Sequence, residues 1–415
     1  MAIGFPARGR AADEVLRELE TMKAADADWR SGRVPLYVFG ATPGVEAVGK
    51  AAFNAFFTEN ALGAKRAFAS LRRMEDEVVA MALDLFGAPE GATGCMTTGG
   101  TESIVLAVQA CRDHERARRA MPGLRGNMVL PETAHPAFDK AAHLMDIEVR
   151  RVPARADFRA DTGAMAGAID DATIMVVGSA PCFPFGVVDP IEEIAELALS
   201  RGTWMHVDAC VGGYLAPFAR RIGRPVPAFD LSVRGVASLS ADLHKFGFCP
   251  KPASTLFFRS AAHAERLGFD MDVWPNGRFR TATVVGTRPG GGVAAAWATL
   301  QHLGSEGYEA IAARLMAMVD RYRAGISAIE GLHVHGEPHL SVVAFGASGY
   351  DVFRVAEEME KRGWVPGLTQ RPRGIHRMMS LLHEPAMPGY LSDLAACAAA
   401  VRDAGGPASA RSATY

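Results

Sequence analysis

The opening part of the chain shows the spacing of amphipathic helices. Ala11–Trp29 and Gly44–Asn60 place apolar residues at helical intervals. A clearer helix follows in FASLRRMEDEVVAMALDLFG, where apolar residues recur every three or four positions and Gly87 is a typical stop. These opening segments predict a helical arm, bounded at residues 1–60, that packs against a larger domain.

From Gly94 onward, short apolar runs alternate with helical segments. Seven of these runs are predicted strands: Gly94–Thr97, Asn127–Leu130, Glu148–Val152, Thr173–Gly178, Thr203–Asp208, Ser238–Ala241 and Ser254–Arg259. Alternation of strand and helix is typical of a mostly parallel sheet with helices on both faces. We therefore predict an α/β fold with a large domain over residues 61–303.

A glycine-rich turn at Gly286–Gly292 marks the approach to a smaller region. The turn leads into a predicted helix over Val293–Leu303. Beyond it, two further helices and two short strands are predicted around Tyr308–Ile329, Leu340–Phe345, Val352–Arg362 and Arg377–Leu382. This order predicts a smaller α+β domain over residues 304–403. The remaining residues, 404–415, show no periodicity and are expected to form a flexible tail.

Composition narrows the classes of function. The chain has 415 residues, with 44 Lys plus Arg against 46 Asp plus Glu and a formal net charge of -2. It therefore lacks the basic character that binding to nucleic acids or anionic membranes needs. Six scattered cysteines form no CxxC pair, so no metal site is predicted and a reducing compartment is favoured. Without a signal-peptide pattern or a membrane-spanning stretch, we expect a soluble cytoplasmic protein.

Polar residues follow several predicted strands, at the edge where parallel sheets bind ligands. TTGGTES begins a helix directly after a strand, and its glycines with free N–H groups suit a phosphate. Asp208 ends an apolar strand in HVDACVGGY, where a carboxylate can cap a helix or pair with a protonated ring nitrogen. Lys245 follows another strand in SLSADLHKFGF. A lysine at a buried strand end is a candidate imine-forming amine with a depressed pKa.

The combination of these residues predicts a cofactor. A phosphate cradle, a flat side chain (His135) to stack on a ring, a carboxylate for a pyridinium nitrogen and a lysine for a Schiff base are the groups that pyridoxal 5'-phosphate requires. Their order along the chain also fits, since Lys245 lies 37 residues after Asp208. We therefore predict that pyridoxal phosphate is the cofactor.

The same motifs make the chain similar to a known family. It resembles the group II pyridoxal-phosphate decarboxylase superfamily, and most closely the sphingosine-1-phosphate lyases, from about Val34 to His383. DLHK and HVDA match patterns shared across the superfamily. The FPFGVVDPI stretch, the lysine at Lys251 and the GTRPGG turn favour the lyases.

The resemblance implies a type I pyridoxal-phosphate fold, as in aspartate aminotransferase, and a homodimer with shared active sites. It implies that Lys245 binds the cofactor as a Schiff base, that Asp208 holds the ring nitrogen protonated and that His135 stacks on the ring. Lys251 would assist at the substrate phosphate or at the reacting hydroxyl. Further cofactor-binding residues are implied around the phosphate: Thr98, Gly99, Gly100, Thr101 and His244, with Gly286 and Thr287 from the neighbouring subunit.

The outer pocket departs from the lyase pattern. Phenylalanine stands at four positions where lyases carry polar aromatic residues: Phe185, Phe246, Phe248 and Phe279. These exchanges either change the substrate chemistry, because a lost polar partner alters selectivity, or reflect packing in the core. Lys65, in a loop that replaces another lyase motif, is a candidate substitute for a phosphate contact. Tyr37 is a second candidate substrate residue.

The expected activity is cleavage of the Cα–Cβ bond of a sphingoid base 1-phosphate, or of a related 2-amino-3-hydroxy phosphate, to an aldehyde and phosphoethanolamine. The alternative is an amino-acid decarboxylase on the same scaffold, because the cofactor residues serve both reactions equally. A cofactor-binding scaffold without activity is disfavoured, since Lys245, Asp208 and His135 are all present.

Overall fold

The computed structural model describes residues 4–414, which are organised around a seven-stranded sheet. The strands lie in the order β1-β7-β6-β5-β4-β2-β3. Their bounds are β1 (Thr93–Thr97), β2 (Asn127–Pro131), β3 (Glu148–Val152), β4 (Thr173–Ser179), β5 (Trp204–Asp208), β6 (Val236–Ala241) and β7 (Ser254–Phe258). β7 is antiparallel to both of its neighbours, and the other neighbouring strands are parallel. The predicted α/β fold with a mostly parallel sheet is confirmed.

The middle strands are buried on both faces, which explains their continuous apolar sequence. In β4, Val176 packs into one apolar core, whereas Met175 and Val177 pack into the other. Side chains alternate between the two faces of a strand, so a strand covered on both sides needs apolar residues at consecutive positions. This is why apolar runs locate the strands of the sheet well.

Helices cover both faces of the sheet. Their bounds are α1 (Ala12–Lys23), α2 (Pro43–Ala55), α3 (Ala69–Leu85), α4 (Gly100–Arg118), α5 (Ala137–Met145), α6 (Thr162–Ala168), α7 (Ile191–Arg201), α8 (Ala216–Arg221), α9 (Ala261–Ala264), α10 (Gly290–Ser327), α11 (Val352–Lys361) and α12 (Met387–Ala404). The two helices predicted on either side of residue 304 are both present within α10. It kinks at Gly304, which has a φ of 54° and a ψ of -175°.

A four-stranded antiparallel sheet forms the smaller part of the fold. Its strands lie in the order β10-β11-β13-β12, with bounds β10 (Leu332–Val334), β11 (Val342–Ala347), β12 (Gly367–Gln370) and β13 (Arg373–Met378). A separate hairpin pairs β8 (Phe269–Met271) with β9 (Phe279–Thr281). The sequence pattern does not predict β8, β9, β10 or β12, because three or four residues are too few to show an alternation.

The opening segments differ in how they contact the rest of the fold. α1 buries none of its residues. By contrast, the stretch that follows it is tied to the small sheet, since Met378 N–H donates to Pro35 O at 3.1 Å and His383 Nε2 lies 2.9 Å from Val34 O. Within residues 4–414, no helix is long and apolar enough to cross a membrane.

Candidate active site

Several strands of the main sheet end around one cavity of about 370 Å³. β1, β4, β5 and β6 all lead into residues that line it. The carboxyl ends of strands that run the same way meet at one edge of a sheet, so residues distant in sequence converge there. The structure brings together eight of the predicted site residues: Thr98, Gly99, Gly100, Thr101, His135, Asp208, His244 and Lys245.

Lys245, which is half-buried, forms an ion pair with the buried Asp242 that the sequence analysis does not anticipate. Its Nζ lies 2.9 Å from Asp242 Oδ2. Burial lowers the pKa of Lys245, but the carboxylate of Asp242, with other groups nearby, raises it more, and the net shift is upward. The expectation of a depressed lysine pKa is therefore wrong. Asp242 is held in turn by Ser254, whose Oγ donates to Oδ1 at 2.5 Å.

Asp208 and His135 line the same cavity from different strands. Asp208 Oδ1 accepts a hydrogen bond from Cys210 N–H at 3.1 Å, which fixes the carboxylate at the end of β5. His135 Nδ1 accepts from Ala137 N–H at 3.1 Å, and burial lowers the pKa of the ring, so His135 is a neutral imidazole. A flat neutral ring and a carboxylate suit a flat heterocycle whose ring nitrogen carries a proton.

The turn before α4 leaves space for an anion. A Cβ atom on Gly100 would lie 2.7 Å from Cys210 Sγ and 2.9 Å from Asp242 Oδ2, so only glycine fits there. Thr98 stabilises the turn, because its N–H and its hydroxyl both donate to Glu102 Oε2 at 2.7 Å. The first N–H groups of α4 have no partner within the helix and carry the positive end of its dipole. They form a cradle for a phosphate.

Gly286, Thr287 and Lys65 do not line this cavity in their own chain. Thr287 is exposed, and its Oγ1 accepts a hydrogen bond from Asn60 Nδ2 at 3.3 Å. Lys65 is also exposed. The turn that carries Gly286 nevertheless lies beside the cradle, because the preceding N–H, that of Val285, donates to Glu102 Oε1 at 3.1 Å.

A second cavity, of about 190 Å³, also reaches Lys245. Tyr37, Phe39 and Lys251 contribute to its walls. Burial and the positive charge of Lys245 both lower the pKa of Lys251, which raises the neutral fraction of its amine at a given pH. Tyr37 has a φ of 68°, a left-handed backbone that is costly for a non-glycine residue and is common at functional sites.

Phe183 lies where these cavities meet, and the sequence analysis misses it. It lines both cavities already described and a third, larger one of about 610 Å³. The centroid of its ring lies 6.3 Å from that of His135 and 4.7 Å from that of His376. The CFPFG motif contains this residue, but nothing in the sequence distinguishes it from the phenylalanine two positions later.

Two of the phenylalanines that replace polar residues of the lyase pattern belong to the core. Phe246 is fully buried, with its ring centroid 5.2 Å from that of Phe39. Phe248 is buried beside Tyr308, with centroids 6.2 Å apart. Neither lines the three cavities above. Core packing accounts for both residues.

The other two have different surroundings. Phe185 lies in the wall of the largest cavity and stacks on Phe158, with ring centroids 4.1 Å apart. It makes that wall apolar. Phe279 lies on the β8–β9 hairpin beside Trp274, with centroids 6.2 Å apart, and lines none of the three cavities in its own chain.

Comparison with known proteins decides the family. Residues 64–348, well over half of the chain, match the family described as the pyridoxal-dependent decarboxylase conserved domain. The chain belongs to the pyridoxal-dependent decarboxylase family. The predictions of pyridoxal phosphate as cofactor and of a lyase that depends on it are therefore confirmed.

Individual members of the pyridoxal-dependent decarboxylase family cover almost all of the chain. A sphingosine-1-phosphate lyase from Arabidopsis thaliana is 42% identical over 403 residues, which are 95% of this chain and 73% of that protein. The structure of a Burkholderia pseudomallei sphingosine-1-phosphate lyase superposes with a TM-score of 0.93 at 34% identity, covering 97% of this chain and 94% of the other. A probable L-aspartate decarboxylase from Thermococcus gammatolerans is 32% identical over 381 residues, covering 91% and 95%.

The cavity of this pyridoxal-dependent decarboxylase family member fits its cofactor. Gly100 keeps the cradle open for a phosphate, and Asp208 offers a carboxylate. Ser179 Oγ belongs to a residue of the cavity wall and, although buried, has no hydrogen-bond partner among the described residues.

Proposed function

We propose that this protein is a pyridoxal-phosphate-dependent carbon–carbon lyase that cleaves a sphingoid base 1-phosphate, or a related 2-amino-3-hydroxy phosphate, to an aldehyde and phosphoethanolamine. The observation that carries the proposal is a mainly apolar cavity of about 610 Å³ that shares the wall residue Phe183 with the Lys245 cavity. A long alkyl chain needs such a space, whereas a small amino acid does not. The two sphingosine-1-phosphate lyases compared above support the same activity.

The residues that hold the cofactor follow from their positions. Lys245 would bond to its aldehyde as a Schiff base, and Asp208 would keep its ring nitrogen protonated. His135 would stack on the ring. The start of α4, from Gly99 to Thr101, would bind its phosphate together with His244. Thr98 would act through Glu102, which occupies both of its donor groups.

Pyridoxal phosphate, when bound, supplies an electron sink for the pair released when a bond at the substrate α carbon breaks. The remaining work is proton transfer by the protein. Lys251 has a lowered pKa in a cavity next to Lys245, so its neutral amine can take the proton from the substrate 3-hydroxyl or, when charged, bind the substrate phosphate. Tyr37 lines the same cavity and would orient this end of the substrate.

We also propose a homodimer in which the Gly286–Thr287 turn completes the cofactor phosphate site of the neighbouring subunit, with Lys65 close to it. The exposure of Thr287 and of Val284, three residues before it, supports this, since both are available to a second chain. Six free cysteines support a reducing, cytoplasmic location. The division into an arm, a large domain and a small domain at residues 60 and 303 remains a proposal, and the non-helical backbone of Gly304 supports the second boundary.

A decarboxylase is the second candidate, and two observations favour it. The Thermococcus relative, a probable L-aspartate decarboxylase, is 32% identical and matches along almost its whole length. The apolar Phe185 in the cavity wall removes a polar group that the lyase pattern carries. The cofactor residues do not discriminate between the two reactions, so only the substrate cavity can.

Absorbance spectra and product analysis test the proposed function together. The purified protein with pyridoxal phosphate is mixed with sphinganine 1-phosphate, alongside Lys245→Ala. We expect a visible imine band in the parent protein alone, and release of a long-chain aldehyde with phosphoethanolamine. A band that does not respond to sphinganine 1-phosphate, together with release of carbon dioxide from an amino acid, would overturn the lyase in favour of the decarboxylase.

A further inference from the structure

The cavity of about 610 Å³, the largest of the three described above, has walls from several parts of the chain. Residues 34–37 of the opening segment, Phe158 and Phe185 form one part of the wall, residues 365–372 around β12 form another, and the charged Glu132 and Arg155 also line it. Ala413 and Thr414, far along the chain from every residue of the cofactor cavity, line it as well. The segment that carries them, residues 405–414, is called the closing segment below.

The closing segment is held in place by side chains of the small domain. Arg373 Nη2 donates to Ser409 O at 2.8 Å and to Arg411 O at 2.9 Å. Ser409 N–H donates to Asp351 Oδ2 at 2.6 Å, and Arg411 pairs with Glu360 at 2.7 Å. The segment predicted to be a flexible tail is therefore anchored at several points.

The last anchor places the segment on the cavity. Ala413 N–H donates to Gln370 Oε1 at 2.8 Å, at the end of β12, and Ala413 packs against the apolar core. Burial alternates along the segment, with Ser409, Arg411 and Ala413 half-buried and Ser412 exposed. This is the pattern of an extended chain that presents every second side chain inward. Ala413 therefore faces the protein, whereas Ser412 faces solvent.

The position of the segment suggests a role in selecting ligands by length. None of its anchors belongs to the cofactor cavity, so the segment does not form the reacting centre. It lines part of a mainly apolar space that shares Phe183 with the cofactor cavity. A chain that enters beside Phe183 and grows in length gains apolar contact until it reaches this wall, and further methylene groups gain none.

We propose that the closing segment forms the end wall of an alkyl-chain site and sets the length of chain that the protein binds. The inference rests on the proposed function, because it assumes that an amine with an alkyl chain is held at the cofactor. The ligand class is a 2-amino-alkyl phosphate. Affinity rises with chain length by about fourfold for each methylene group up to a break, which marks contact with the wall.

The test uses 2-amino-alkyl phosphates of increasing length that lack the 3-hydroxyl and so cannot undergo the cleavage. Calorimetry on the protein loaded with pyridoxal phosphate gives a dissociation constant for each length, independent of turnover. Ala413→Trp fills the end of the cavity, and we expect the break to move to shorter chains. Affinity for the longest chains should fall at least about tenfold, the effect of withdrawing about two methylene groups. Ser412→Trp, on the exposed side, is the matched control and should keep the parent profile.

A chain truncated after Ala404 provides the opposite change and guards against an uninformative tryptophan variant. Without the wall we expect the break to disappear and chains longer than the parent limit to bind without penalty. Identical profiles for the parent, Ala413→Trp and the truncated chain overturn the inference, as does a failure of every chain length to bind. If chain-length dependence responds as expected but sphinganine 1-phosphate is not cleaved, the proposed function fails and the length-limiting wall stands.

Discussion

Replacing Asp242 by asparagine tests how the ion pair at the centre of the site controls the reactive lysine. Asparagine keeps the size of the side chain and an acceptor for Ser254 but removes the charge 2.9 Å from Lys245 Nζ. At an effective dielectric constant of 20, two unit charges at that distance attract by about 6 kcal/mol. Burial opposes protonation of Lys245 and remains in the variant. The pKa of Lys245 should therefore fall, and the neutral fraction of the amine at pH 7.5 should rise at least about a hundredfold after allowance for relaxation and other nearby charges.

The rate at which the cofactor-free protein takes up pyridoxal phosphate covalently reports that neutral fraction, because only a neutral amine attacks an aldehyde. In the parent protein we expect the rate to rise about tenfold for each pH unit between 7 and 9, because this range lies far below the pKa of the Lys245 amine. In Asp242→Asn the rate at pH 7.5 should exceed the parent rate by at least about a hundredfold, because the pKa of Lys245 is lower. Ser254→Ala, which removes a hydrogen bond to Asp242 but not its charge, is the control. Equal rates at pH 7.5 for the parent and Asp242→Asn would refute the reasoning.

Three other outcomes follow from close packing, burial and the second lysine. Gly100→Ala puts a methyl group into the cradle, and overpacking costs on the order of 1–3 kcal/mol. The dissociation constant for pyridoxal phosphate, measured by equilibrium dialysis, should rise at least about fivefold. Gly123→Ala is the control, because a Cβ atom there has no neighbour within 4 Å, and it should leave the dissociation constant unchanged. Equal dissociation constants for the parent and Gly100→Ala would contradict the assignment of Gly100 to the phosphate cradle. Burial lowers the pKa of His206 from 6.5 to about 4, so the unfolded chain binds more protons than the folded chain between these pH values. The free energy of unfolding therefore decreases as the pH is lowered through this range. Between pH 7.5 and 5 this histidine should cost about 2 kcal/mol, which denaturant titrations of His206→Asn should recover; an unchanged pH dependence contradicts the assignment. Lys251→Arg keeps the positive charge but offers no base near neutral pH. If Lys251 transfers a proton, we expect a severe loss of kcat with KM preserved. A variant whose kcat and KM equal those of the parent would exclude that role.

The large sheet was accessible from sequence because burial on both faces produces continuous apolar runs. Strand β3, Glu148–Val152, coincides with its predicted bounds, and the other six strands differ by at most two residues at either end. The small sheet was less accessible, since β10 and β12 are too short to show a period. The break in α10 was accessible too. The predicted helices end at Leu303 and resume at Tyr308, and Gly304 between them has a non-helical backbone.

The cofactor side of the site could be predicted because each group follows a strand of one sheet. The roles of Asp242 and Phe183 could not be predicted from the sequence. Asp242 lies three residues before Lys245, but only the buried turn shows that its carboxylate meets the lysine. Phe183 owes its importance to cavities formed by segments far apart in the chain, and no local pattern reports such a convergence. The same holds for Ala413, whose place on the largest cavity depends on Gln370.

Competition between the two candidate reactions decides between a lyase and a decarboxylase. The protein loaded with pyridoxal phosphate receives sphinganine 1-phosphate and L-aspartate together, with Lys245→Ala as the blank. Long-chain aldehyde and carbon dioxide are measured over the same time course. We expect aldehyde and phosphoethanolamine in equal amounts, no carbon dioxide above the blank, and no product from the variant. Carbon dioxide without aldehyde would rule out the lyase and assign the site to decarboxylation.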